Sequence, residues 1–228
     1  MKILAIDTTE SACSAALLID EHIHEYFDIV PKLHSEFILP MIDSILSEGG
    51  LKIEQIDAIA FSRGPGSFTG VRISTAVAQG LAISSDLPLI PISSLLALAQ
   101  GIYREKGAQK ALVGLDARME EVYWAACKLN EKNIMEFFTK ETICSPANAP
   151  IPEISHWHCA GSAWQEYSDV LLKNFKKSTL EIHANFFIHA QDVAYLAKTE
   201  LQKGNILDPS QALPIYLRDE VVKKKTYE

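Results

Sequence analysis

ILAIDTTESACSAALL, residues 3–18, is echoed by LVGLDARMEEVYWAAC, residues 112–127. Aligned without a gap, Asp7 falls on Asp116 and the apolar runs on either side coincide. Each copy reads as strand, short polar turn, strand: a hairpin with an aspartate at the end of its first strand. Outward from the two copies the order stays parallel. Residues 22–29 read as a third strand after the first copy, and 133–138 after the second. A helix over 35–47 and a strand over 56–62 follow in the first half. In the second half, WHCAGSAW at 157–164 reads as a strand meeting a glycine turn, with a helix over about 165–174. Two halves that each open with a hairpin and continue β-α predict a duplicated α/β protein.

The strand at 56–62 runs into RGPGSFTGVR, residues 63–72, and then into a proline-free helical pattern over 71–84. A glycine-rich turn from strand to helix is where unpaired amides and the helix dipole converge on phosphates. Spacing excludes two familiar versions. There is no lysine for a Walker A loop, and G-x-G-x-x-x-G is one residue longer than the dinucleotide fingerprint. The dinucleotide motif's acid should end the next strand, whereas Asp86 precedes the strand over 87–92. Pro65 removes one amide from any cradle. The competing reading is that Gly64, Gly66 and Gly70 allow a tight turn and close helix–strand packing.

Composition narrows the class. At 228 residues, 48% hydrophobic and 22% charged, the chain has an ordinary globular make-up. No apolar stretch approaches a membrane span, and the N-terminus reads as a strand rather than a leader peptide. Cys13, Cys127, Cys144 and Cys159 include no C-x-x-C pair, which points to reduced thiols and a cytoplasmic location. A net charge of −8 argues against strong unaided nucleic-acid binding. The basic run at 223–225 reads as a solvated end.

Duplicated domains of this pattern resemble the actin/hexokinase-like (ASKHA, ribonuclease H-like) architecture, each domain a mixed sheet with flanking helices. Five motifs in order make the likeness specific: ILAIDTT at 3–9, HSEFILPMID at 34–43, GPGSFTGVR at 64–72, DARMEEVYWA at 116–125 and PIYLRDEVVKK at 214–224. Across essentially the whole chain they resemble the TsaB (YeaZ) family. The resemblance implies an N-terminal domain over 1–105 that carries partner-interface helices. It also implies a smaller, degenerate domain over 106–228, whose last helix is expected to pack back on the first.

It further implies a non-catalytic scaffold or activating subunit for threonylcarbamoyl transfer to the adenosine next to the anticodon in tRNAs reading codons that begin with A. The implied partners are a TsaD-type catalytic subunit in a heterodimer, a TsaE-type ATPase, and a second copy when the chain is alone. tRNA would be held mainly by the catalytic partner. In that paralogue an H-x-x-x-H pair holds the metal, since two imidazoles one helical turn apart suit a divalent ion. Aligned from Pro88, those positions fall on Ser94 and Leu98, so no metal is expected there. His22, His24, His34, His156, His158, His183 and His189 read as surface or satisfied polar residues.

ATP-using relatives carry a glycine in the first hairpin turn. Here the turn is Asp7-Thr8-Thr9-Glu10-Ser11, and Glu10 would repel phosphate in a low-dielectric cleft. No cofactor is therefore required. Weak ATP or ADP binding, if any, would involve Asp7, Thr8, Thr9, Gly64, Gly66 and Asp116. Arg118 is read as pairing with a carboxylate of its own chain, and Arg63 and Arg72 as ion-pair or turn-positioning residues.

The helix over 35–47, with Ser35 as its expected N-cap and Pro40 inside it, has an apolar arc wider than one sheet-facing stripe needs. The next helix places small residues Ala76 and Gly80 where another helix can approach closely. The expected partner face is Phe37, Met41, Ile45, Ile73, Ala76, Val77 and Gly80. Two other functions compete. An autonomous phosphotransferase of the sugar-kinase type would need a glycine phosphate turn and a base in the cleft. A metalloprotease would need H-E-x-x-H or H-x-x-x-H, and neither pattern is present.

Overall fold

β1 (Lys2–Asp7), β2 (Ala12–Ile19) and β3 (His22–Ile29) form an antiparallel meander. The computed structural model describes residues 1–153, 156–175 and 179–218. β1 and β2 are apolar on both faces because both are covered, whereas the edge strand β3 is largely half-buried or exposed. α1 (His34–Glu48) crosses to β4 (Ala58–Ser62), and α2 (Phe68–Ser85) to β5 (Leu89–Ile92). Both connections give parallel pairs, and the sheet order is β3-β2-β1-β4-β5.

α3 (Ser94–Lys106) leads into the second half. There β6 (Lys110–Arg118) pairs antiparallel with β7 (Glu121–Leu129), followed by the short β8 (Met135–Phe137) and β9 (Thr142–Cys144). β10 (His156–Ala160), α4 (Ser162–Glu166), α5 (Ser168–Leu172), β11 (Thr179–His183) and α6 (Ala190–Lys203) complete it. The order is β11-β10-β6-β7-β8, with β9 also on β7. The internal repeat is thus structural. β1 and β6 each lie between an antiparallel hairpin partner and a parallel strand, β4 in one sheet and β10 in the other. The fold is the duplicated actin/hexokinase-like one, two mixed sheets with flanking helices.

Three apolar layers follow from the period of two. Leu4, Ile6, Leu17, Ile59 and Phe61 pack on Ile38, Ile42 and Ile45 of α1 and on Ala78 and Ala82 of α2. The opposite face of the first sheet carries small residues, Ala5, Ala16, Ala58 and Ala60, and meets α6. α6 packs on α3, and α3 covers the face of the second sheet that holds Ala111, Val113 and Ala125, so one continuous core joins the halves. The outer face of the second sheet buries Trp124 and Trp157 with Trp164 of α4.

α6 is fastened at its start by the first half. The Ser14 hydroxyl accepts the Ala190 amide at 2.9 Å, and Glu25 accepts the Gln191 amide at 3.0 Å. A carboxylate at a helix N-terminus is favoured by the dipole. Beyond α6 the chain runs back over the first half: Leu207 pairs with Leu89, and the Ile215 amide donates to the Arg63 carbonyl at 2.9 Å.

Several boundaries differ from the sequence reading for local reasons. α1 begins at His34 with Leu33 at the N-cap, so Ser35 lies inside the first turn and caps nothing, and the helix continues through Pro40. α2 begins three residues before the expected 71, because the Ser67 hydroxyl accepts the Gly70 amide and starts the helix there. The expected helix over 165–174 is two short helices joined at Tyr167. β11 has no counterpart in the sequence reading. The basic run at 223–225 lies outside the described residues, and no described helix is long and apolar enough to cross a membrane.

Candidate functional site

The glycine turn is docked on the first hairpin turn of its own chain. The Ser67 amide donates to the Thr9 carbonyl at 2.7 Å, and the Thr8 hydroxyl donates to the Gly70 carbonyl at 2.7 Å. A Cβ on Gly70 would stand 2.0 Å from the Thr8 carbonyl oxygen, and one on Gly66 would stand 2.5 Å from that of Thr9. These glycines are therefore required by close backbone approach. The Gly70 and Val71 amides are spent on the Ser67 hydroxyl and carbonyl. Gly64 has φ +98°, and its carbonyl accepts the Ser94 amide at 3.0 Å. The turn thus uses its Ser67, Gly70 and Val71 amides on itself and its hairpin.

Asp7, Thr8 and Thr9 are wholly buried. Asp7 accepts the Thr9 amide at 3.1 Å and the Thr9 hydroxyl at 2.8 Å. Burial pushes the Asp7 carboxyl above the usual carboxylate range, and the bonds from Thr9 pull it back only in part. The Ser94 hydroxyl donates onward to Thr9 Oγ1 at 3.2 Å. Ser94 is fully buried at the start of α3, and Leu98, one turn later, is fully buried and abuts Gly161. Ser94 and Leu98 are thus one buried hydroxyl and one buried apolar side chain.

Across the cleft, Glu10 closes the gap between the two hairpins. Glu10 Oε1 accepts the Ser162 hydroxyl at 2.7 Å, and Ser162 Oγ in turn accepts the Asp116 amide at 3.1 Å. The other oxygen of Glu10 is buried without a partner among the described residues. Burial pushes the Glu10 carboxyl up to about 7, opposed by the Ser162 bond and reinforced by Asp7 and Asp116. Asp116 is tied down within its own half by Arg118 at 2.9 Å and Tyr167 at 3.2 Å. Asp7 and Asp116, from the two hairpins, therefore both bear electrostatically on Glu10. The Glu10–Ser162–Asp116 chain of hydrogen bonds ties the two halves together.

A family model described as "TsaD: tRNA N6-adenosine threonylcarbamoyltransferase" matches residues 17–224. The chain is 38% identical over 230 residues to the tRNA threonylcarbamoyladenosine biosynthesis protein TsaB of Escherichia coli K12, covering 99% of this chain and 98% of that protein. It is 39% identical over 236 residues to TsaB of Haemophilus influenzae, covering 99% and 97%. The chain belongs to the TsaB family. The solved structure of YeaZ from Pseudomonas aeruginosa agrees, with a TM-score of 0.89 at 37% identity over 95% of this chain and 99% of that one.

On this TsaB-family chain, the expected partner face is only partly free. Ala76 and Gly80 are exposed, and Phe37, Met41, Ile73 and Val77 are half-buried. Ile45 is 1% exposed and belongs to the sheet-facing core, so it cannot reach a partner. Its place in the wide apolar arc misled: it lies with Ile38 and Ile42 on the row that faces the sheet. Ile83, seven residues beyond Ala76 on the same helical row, is 68% exposed and extends the face. That spacing was available in the sequence.

The arginines of the glycine turn act inside the chain. Arg63 binds Glu141 at 2.6 Å, and Glu141 also accepts the Ser93 hydroxyl at 2.6 Å, joining the turn to the second half. The Arg72 guanidinium lies 3.3 Å over the Phe68 ring and donates to Tyr216 Oη at 2.9 Å. Ser162 and Glu141 went unnoticed in the sequence, since neither belongs to a motif with a fixed spacing. His189 stacks on Phe27 and binds Glu25 at 2.8 Å, a satisfied polar residue as read, while His183 stands beside His158 because β11 pairs with β10.

Proposed function

We propose that this chain is a non-catalytic scaffold or activating subunit of the cytoplasmic complex that places threonylcarbamoyl on the adenosine next to the anticodon of tRNAs reading codons that begin with A. The observation that carries this reading is the near full-length match to proteins named for tRNA threonylcarbamoyladenosine biosynthesis. Ser94 and Leu98, together with the Glu10–Ser162 closure of the cleft, support a supporting role rather than a catalytic one. A TsaD-type subunit would hold the metal and carry out acyl transfer. The exposed rows of α2, Ala76 and Gly80 with Ile83, and the half-buried Phe37, Met41, Ile73 and Val77 would meet that like-folded subunit. In its absence they would meet a second copy of this chain. A stable interface of this kind buries about 800 Å² per partner.

A TsaE-type ATPase would dock on the heterodimer, and tRNA would be contacted mainly through the catalytic subunit. The chain itself would require no cofactor, and any ATP or ADP binding would be weak. The direct test is depletion of the chain in its native cell, followed by mass spectrometry of tRNA nucleosides. Loss of threonylcarbamoyladenosine is expected, and an unchanged content overturns the reading. A phosphate-release assay on the purified chain separates the sugar-kinase alternative: steady turnover abolished by Asp7→Ala would favour the kinase.

A further inference from the structure

β10 and β11 run parallel with His158 opposite Glu181 and Ala160 opposite His183. The alternation of strand side chains puts His156, His158, Glu181 and His183 on one face, while Trp157, Cys159 and Leu180 turn into the outer core. His156 Nε2 lies 3.3 Å from Glu181 Oε1, and His158 Nδ1 lies 3.8 Å from Oε2. His158 Nδ1 also faces His183 Nε2 at 3.4 Å, with the two rings stacked. One ligand atom from each of His156, His158 and Glu181 falls within 4.8 Å of the others. Ligand atoms on a tetrahedral ion with bonds of about 2.1 Å are about 3.4 Å apart. The two histidine–carboxylate separations, 3.3 and 3.8 Å to the two oxygens of Glu181, bracket that edge, and all three ligand atoms lie within 4.8 Å.

We propose that His156, His158 and Glu181 form a binding site for a divalent transition-metal ion of the zinc class, with His183 alongside His158. Two imidazoles and a carboxylate, with a third imidazole alongside, suit borderline ions such as zinc, nickel or cobalt over magnesium or calcium. The ligands must be unprotonated to bind. Glu181 supplies the negative charge facing the imidazoles. Lys106 and Glu105, at the end of α3, face His183 with opposite charges. His158 is 9% exposed and fixed by the strand, whereas His156 and Glu181 are open to solvent and give an ion its entry path.

The site lies apart from the Glu10–Ser162 cleft and belongs to no catalytic constellation. Its effect is structural: β11 is an edge strand paired only with β10, and an ion held by both would staple that edge.

The test uses the untagged full-length chain, stripped with chelator and titrated with zinc chloride by calorimetry, with cobalt(II) absorption as a geometric readout. One ion per chain is expected, with a Kd of about 10 µM or tighter, together with a rise in Tm and the intense visible bands of four-coordinate cobalt. His156→Ala and Glu181→Gln, both at exposed side chains and checked for folding by circular dichroism, should each weaken binding at least about tenfold. His22→Ala/His24→Ala, on the exposed β3 edge, should bind as the parent does. Absence of saturable binding, or binding that survives the His156→Ala/Glu181→Gln double variant, overturns the proposal.

Discussion

The Ser162 hydroxyl donates to the Glu10 carboxylate at 2.7 Å, and this single bond joins the hairpin turn of one half to the first helix after β10 in the other. Its acceptor is an acid pushed up to about 7 by burial, with Asp7 and Asp116 adding to the shift. The folded value lies above the unfolded one, so between about pH 4.5 and 7 the folded state holds the extra proton. Stability from this group is therefore full at low pH and falls as pH rises through 7. A gap of that size is worth about 3 kcal/mol. Glu10→Gln keeps an acceptor for Ser162 and removes the charge. Urea unfolding at pH 5 and pH 8 should show the variant gaining at pH 8, with a flatter pH profile than the parent.

Two glycines only ten residues apart should respond with opposite signs. Gly70 has no room for a Cβ, which would stand 2.0 Å from the Thr8 carbonyl oxygen, so Gly70→Ala must separate the turn from the hairpin. A loss of about 2–4 kcal/mol is expected, by the logic of overpacking at a rigid contact. Gly80 has nothing within 4 Å of the same atom and sits mid-helix with helical φ, so Gly80→Ala should gain up to about 1 kcal/mol. Denaturant midpoints of the two variants check both signs at once.

That contrast also shows what the sequence made legible. The duplicated hairpins and the mixed sheets could both be read from repeat and motif spacing. Those features depend on residues near one another in the chain. Gly66 and Gly70 were ambiguous, because glycine's role depends on what approaches it, and Thr8 and Thr9 lie some sixty residues away. Glu10 was recognised as repulsive to phosphate, but its bond to Ser162 spans 152 positions and follows no period. Ile45 was placed on the wrong side for a subtler reason: a wide apolar arc does not tell which row faces the sheet until the crossing of helix over strand is known. The histidine cluster required β11: TLEIH alternates polar and apolar residues as a strand does, but nothing local to it says that it pairs with β10.

The junction of α3 and α6 makes a separate prediction. Arg104 holds Asp192 with two parallel bonds, Nε to Oδ1 at 2.9 Å and Nη2 to Oδ2 at 3.0 Å. Asp192 is 1% exposed, and burial pushes it up to about 6 even against the pull of Arg104. Arg104→Ala leaves a buried carboxylate unpaired, a change that costs about 3–5 kcal/mol. The loss should be larger at pH 8 than at pH 5, because protonation relieves the orphaned charge. Arg104→Ala/Asp192→Asn should recover part of it. Thermal unfolding at the two pH values is the check, and equal losses at both would place the effect in packing instead.

The proposed partner face makes the prediction closest to function. Ala76 is exposed on α2 between half-buried Ile73 and Val77, and Gly80 lies one turn on, so the surface there is small-sided and flat. Helices approach closely over such residues, and a long charged side chain would hold the partner off while remaining solvated in the free chain. Ala76→Arg should leave Tm within about 1 °C of the parent, since a surface substitution is worth within about 0.5 kcal/mol. The same variant should lose co-purification with a TsaD-type subunit and shift the isolated chain from dimer to monomer in sedimentation. The control is Ile45→Val, in the sheet-facing core, which should cost about 0.5–1.5 kcal/mol of stability and leave partner binding intact. Retained binding by Ala76→Arg would exclude this part of α2 from the centre of the interface.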